Sequence, residues 1–157
     1  MHQSAFLAVH MGDSEFCNYG WRLASEHPAT AVRFARGRKM KTVGGLFDEI
    51  SAACQFPYYF GENWPAFAEC LGDLDWMNAS RFVLLITEFE QIMADEPDQI
   101  GALGRSLRSA IREYNRERAN PEFKESVFQL IINYRVADKQ FKSPIFDEIG
   151  SPLLLRL

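Results

Sequence analysis

Residues 56 to 71 read Phe-Pro-Tyr-Tyr-Phe-Gly-Glu-Asn-Trp-Pro-Ala-Phe-Ala-Glu-Cys-Leu. The chemistry on offer is recognition of positive charge: Glu62 and Glu69, followed by Asp73, stand in sequence beside the rings of Tyr58, Tyr59 and Phe60. Rigid rings bury contact area at little entropic cost, and carboxylates select a basic target. Projected at about 100° per residue, Phe67, Cys70, Leu71 and Leu74 share one side of a helix that starts near Asn63. Glu69 and Asp73 fall together on the far side, with Ala66 between them and the turn. One side is core and the other a short acidic ridge.

Catalysis requires a nucleophile, a base and an orienting group, or paired carboxylates in a cleft. His2, His10 and His27 all precede the predicted core, and no Gly-rich phosphate loop follows any predicted strand. Cys17, between His10 and His27, has no supporting motif as a dyad. Glu62 and Glu69 lack the further oxygen ligands that a divalent cation needs. The residues predict no enzyme, no cofactor and no metal. Cys17, Cys54 and Cys70 are odd in number and widely spaced, which predicts reduced and mostly buried thiols.

The elements that must position this segment read as alternating strands and helices. Ala31 to Ala35 has the period-two pattern of a strand, ended by Arg36-Gly37-Arg38-Lys39. From Thr42 to Cys54, Leu46, Phe47, Ile50, Ala53 and Cys54 recur at helical spacing, and Gln55-Phe56-Pro57 stops that helix. Gly61 is expected to give the next turn its backbone freedom, Asn63 to cap the acidic helix, and Pro65 to sit in its first turn. Phe82 to Ile86 is a buried strand, Asp98 is placed to cap a long helix bearing Leu103, Leu107, Ala110, Ile111 and Tyr114, and Val127 to Ile132 is another strand. Strands separated by helices call for crossover connections and a parallel sheet, so the fold class is α/β.

The chain of 157 residues is 47% apolar, enough for one sizeable core. The organisation expected is an N-terminal extension over 1–28, one domain over 29–135, and a C-terminal extension over 136–157 that packs on it. Ala5 to Val9 is a further candidate strand, and Pro144, Gly150 and Pro152 predict an irregular tail. No run approaches the roughly 18 apolar residues of a membrane span, and the start lacks a signal-like pattern, so the expected location is cytoplasmic. Net charge is −4, but residues 42–104 hold 11 acids and one base, Arg81. Such a block repels nucleic acid and attracts a basic partner.

The order and spacing of the aromatic pair, Gly61-Glu62-Asn63, and a helix with an acid just before Cys70-Leu71 resemble the central signature of the barstar family, intracellular protein inhibitors of ribonucleases. The resemblance implies a small three-stranded parallel sheet packed on helices, and carboxylates that stand in for RNA phosphates in a basic nuclease site. It places the contacts to the enzyme on Tyr59, Asn63 and Glu69, with a further glutamate that corresponds to Glu113. With Gly61, Ala66, Asp73 and Trp76 these make up the expected partner-binding face. The partner implied is a basic ribonuclease or nuclease toxin. The chain departs from the family pattern at Pro65, where a contacting aspartate is usual, at Ala68, where a tryptophan is usual, and at Glu69, which is one methylene longer than aspartate. These changes point to a different nuclease, or to a contact rebuilt around Trp64 and Asp73.

Two rival readings remain open. Arg105, Arg108, Arg112 and Arg116 fall on one face of the long helix and form a stripe able to track phosphates, unless acids such as Glu113 and Glu117 neutralise it. Alternatively the domain is an interaction module whose partner is no nuclease. For the turn, Tyr58, Tyr59 and Phe60 either face a partner or plug the edge of the core.

Overall fold

The apolar residues of the strands alternate between two cores, one on each face of a single sheet. In the computed structural model, which describes residues 5–118, 127–135 and 142–155, five strands lie parallel in the order β2-β3-β4-β1-β5. They are β1 (Phe6–Val9), β2 (Thr30–Arg36), β3 (Arg81–Thr87), β4 (Phe128–Asn133) and β5 (Leu153–Leu154). Phe82, Leu84 and Ile86 of β3 pack into the larger core with Phe128, Leu130 and Ile132 of β4. Val83, Leu85 and Ile131 pack into the smaller one. This is the period of two expected of strands covered on both faces.

Helix α1 (Asp13–Glu26) covers the smaller core through Phe16, with Tyr19 and Leu23 half-buried against it. The larger core lies under α2 (Val43–Cys54), α3 (Trp64–Asp73), α4 (Ile100–Arg118) and the short α5 (Ile145–Ile149). Thr42 caps α2, its hydroxyl accepting from the Gly45 N–H at 3.1 Å. Gln55 ends that helix in the left-handed region at φ 53°.

The carboxyl ends of the strands are fastened by charge. Glu88 is buried just beyond β3 and pairs with Arg38 at 3.2 Å and with Arg135 at 3.3 Å, and Arg135 also meets Asp13 at the start of α1. Arg36 and Glu49 tie β2 to α2 at 2.7 Å, and this hydrogen bond holds the Glu49 carboxyl below its usual range. Gly37 permits the close approach of β2 to the Glu88 turn, since a Cβ there would lie 2.1 Å from the Glu88 carbonyl oxygen.

Several expectations are corrected. The sheet has five strands rather than three: β1, on the candidate strand Ala5 to Val9, lies between β4 and β5, and β5 has only two residues. The tail is less irregular than its prolines suggest, for Ile145 of α5 enters the core and Glu148 closes on Gly104 of α4. Asp98 does not cap α4 but lies inside a 3-10 turn, Pro97–Gln99, where its carboxylate accepts from the Gln99 side chain. Cys54 and Cys70 are buried, but Cys17 is exposed because the covered stripe of α1 runs through its neighbour Phe16.

Candidate functional site

The aromatic turn is divided between inside and outside. Phe56 and Phe60 turn inward and meet edge to face at 5.1 Å, and Phe60 also meets Phe47 of α2 at 5.5 Å. Tyr58 is fully exposed and Tyr59 is 68% exposed, their rings touching edge to face at 5.8 Å. Of the three residues expected either to plug the core or to face a partner, Phe60 does the first and the tyrosines are free for the second. Such exposure of two adjacent aromatics has no packing explanation among the described residues.

The left-handed residue of the turn is Glu62, at φ 48°, and not Gly61. Gly61 instead leaves room for Asn63, whose Nδ2 donates to the Gly61 carbonyl at 3.1 Å. Asn63 Oδ1 accepts from the Ala66 N–H at 2.9 Å, so this side chain caps α3 and braces the turn at once. Pro65 occupies the first turn, where a missing N–H costs nothing.

Along α3, Phe67, Cys70, Leu71 and Gly72 are buried, Ala66 and Asp73 are half-buried and Glu69 is exposed. The helix therefore shows solvent the acidic side expected of it. Burial pushes the Cys70 thiol up, and the carboxylates of Glu69 and Asp73 add to the shift. Trp64 is committed inward, with its Nε1 donating to Gln99 Oε1 at 3.2 Å and its ring against Phe47 and Phe67. Trp76 is half-buried, and its Nε1 donates to the Cys54 carbonyl at 2.9 Å. Neither indole keeps a free N–H for a partner.

Glu113 of α4 lies against α3 at Gly72. The two helices approach so closely at Gly72 that a Cβ there would lie 3.4 Å from the Glu113 Cβ and 3.4 Å from the Ala110 carbonyl oxygen. The Glu113 carboxylate is hydrogen-bonded to Arg116, which holds its carboxyl below the usual range. Arg118, which no local spacing singles out, closes the far end of the ridge. It donates to the Asp73 carbonyl at 2.6 Å, pairs with Asp75 and lies 4.0 Å from the centre of the Tyr114 ring. Its contacts to Asp73 and Asp75 span more than forty residues in sequence, beyond the reach of any helical-periodicity argument. Glu69 and Asp73 thus remain as the ridge acids without an ion pair among the described residues.

Half of the arginine stripe is neutralised. Arg105 pairs with Glu148 at 3.2 Å and Arg116 pairs with Glu113, whereas Arg108 and Arg112 are exposed without an ion pair among the described residues. No group of three or more His, Cys, Asp or Glu among the described residues is arranged to hold a metal. His10 lies with its Nδ1 2.7 Å from the Tyr134 carbonyl oxygen, where it joins the loop after β1 to the end of β4. Among the described residues no helix is long and apolar enough to cross a membrane.

The family model described as Barstar (barnase inhibitor) matches residues 30–126. The chain belongs to the barstar family. Family membership implies a ribonuclease-inhibitor-like role toward a basic protein partner, and barstar-family proteins are inhibitors without catalysis of their own. No curated protein matches the chain. Among solved structures, a chain from the "Structure of Drosophila ORC bound to AT-rich DNA and Cdc6" aligns over 93% of this chain and 47% of its own length, at 10% identity and a TM-score of 0.51. A chain from the "Structure of the Aeropyrum Pernix ORC2 protein (ADPNP-ADP complexes)" aligns over 95% of this chain and 40% of its own, at 12% identity and a TM-score of 0.46. This barstar-family chain spans less than half the length of either, and the first likeness concerns the parallel-sheet fold alone. The turn after β1, His10-Met11-Gly12, carries no phosphate-loop motif.

Proposed function

We propose that this protein inhibits a ribonuclease or a nuclease toxin by covering its basic active site with the aromatic turn and the acidic side of α3, and that it does so in the cytoplasm, where its unpaired cysteines stay reduced. One observation carries the reading: Tyr58 and Tyr59 lie exposed beside a capped helix whose outward acid, Glu69, has no partner among the described residues. A nuclease site must hold phosphates and is lined with Arg, Lys and His. Carboxylates presented to it turn that lining against the enzyme, and rings beside them bury area around the charges. Tyr59, Asn63 and Glu69 are the central contacts, flanked by Gly61, Ala66, Asp73, Trp76 and Glu113. With Ala68 in place of a tryptophan and both indoles turned inward, the aromatic share of the contact rests on the two tyrosines.

The test is capture. The protein immobilised at moderate salt and exposed to extract of its source cells should retain a small basic nuclease, whose RNA cleavage the free protein then suppresses at equal molarity. A captured set without nuclease activity would favour an interaction module of another kind. Nucleic-acid binding is the second reading, favoured only by Arg108 and Arg112. Tight RNA binding at physiological salt that is lost on Arg108→Glu with Arg112→Glu would establish it in place of inhibition.

A further inference from the structure

Beside the aromatic turn an open groove of about 530 Å³ runs along the end of α2, lined by Ser51, Gln55, Phe56, Tyr58, Phe60 and Glu62. We infer that this groove seats an arginine side chain of the protein partner, with Tyr58 as the stacking wall and Glu62 as the counter-ion. The inference rests on the proposed inhibitor reading for the partner's class, and extends the contact face from α3 across the turn to α2.

Three observations converge on a cation. Glu62 is exposed, and its carboxylate makes no hydrogen bond or ion pair among the described residues. It is held at φ 48°, a conformation that glycine adopts without the steric cost a side chain incurs. The Tyr58 ring is fully exposed along the groove, offering a face to a planar cation. The groove also adjoins the carboxyl-terminal end of α2, the negative pole of that helix, whose last turn holds no basic residue.

No cation of the neighbouring sequence competes for the place, because no Lys or Arg occurs between residues 42 and 80. A guanidinium satisfies ring and carboxylate together, lying flat on Tyr58 while presenting paired N–H groups to Glu62. An ammonium offers only a point charge. The groove is therefore selective for arginine over lysine.

The experiment is a titration of the isotopically labelled full chain with Nα-acetyl-arginine amide, followed by amide NMR shifts, with the lysine and glutamine analogues as controls. Saturable shifts at Gln55, Tyr58 and Glu62 are expected with the arginine compound, several-fold weaker binding with lysine, and none with glutamine. Glu62→Gly should abolish the response while leaving the melting temperature unchanged or higher, and Tyr58→Ala should weaken it several-fold. Glu69→Ala should leave the titration as it is, so the groove and the α3 contact stand or fall separately. Absence of saturable shifts, or a response undiminished in Glu62→Gly, would overturn the proposal.

Discussion

Asn63 caps the helix that carries Glu69, and its contacts give it a folding role beside the proposed one in recognition. Asn63 has both polar atoms engaged, one capping Ala66 and one bracing Gly61, so Asn63→Ala should lower stability by about 1 kcal/mol in urea unfolding. Glu69 touches nothing that folding needs. The thiols divide in the same way. Burial pushes the Cys54 thiol up to about 12, and Cys17 is exposed, so iodoacetamide at pH 8 should label Cys17 in the native chain and leave Cys54 unmodified. Because the folded value of Cys54 lies above its ordinary 9.0, its contribution to stability is whole below about pH 9 and falls away toward pH 12. The stability difference between wild type and Cys54→Ala should shrink over that window.

At the scale of elements, α2, α3, α4 and the central strands were legible in the sequence, because each carries its own periodicity and its own stop signal, whereas α1 and α5, in the segments read as extensions, were not. Thr42 and Asn63 cap as their types suggest, and the core face of α3 follows from Phe67, Cys70 and Leu71. The tertiary placements were not legible. Nothing local reveals that Arg118 reaches back to Asp73 and Asp75, that Trp76 bonds to Cys54, or that Glu62 rather than Gly61 turns left-handed. Such features depend on which elements meet. Gly37 is another, since its value lies in the approach of the Glu88 turn. Gly37→Ala should cost about 3 kcal/mol, the upper range for overpacking, because the obstructing atoms are backbone and cannot rotate away. Chemical denaturation of the purified variant would measure it.

For the molecule as a whole, the family match begins at residue 30 while the sheet includes β1 from before it, placed between β4 and β5. Deleting residues 1–28 would remove β1 and α1, open the edge of β4 and uncover Val83, Leu85 and Ile131. The truncated chain should lose cooperative thermal unfolding and aggregate in size-exclusion chromatography. β5 escaped the sequence pattern because two residues are too few to show a period, whereas β1 falls on the candidate strand Ala5 to Val9. The acidic block over 42–104, by contrast, was visible in composition, and it includes Glu69 and Asp73 on the outward side of α3. Inhibition as proposed has this side close a nuclease site through α3, and calorimetric titration of the captured nuclease with wild type and Glu69→Ala measures that contact. Binding of Glu69→Ala should be weaker by at least about 2 kcal/mol, near thirtyfold, with the melting temperature unchanged. Equal affinity in a folded Glu69→Ala protein would contradict it.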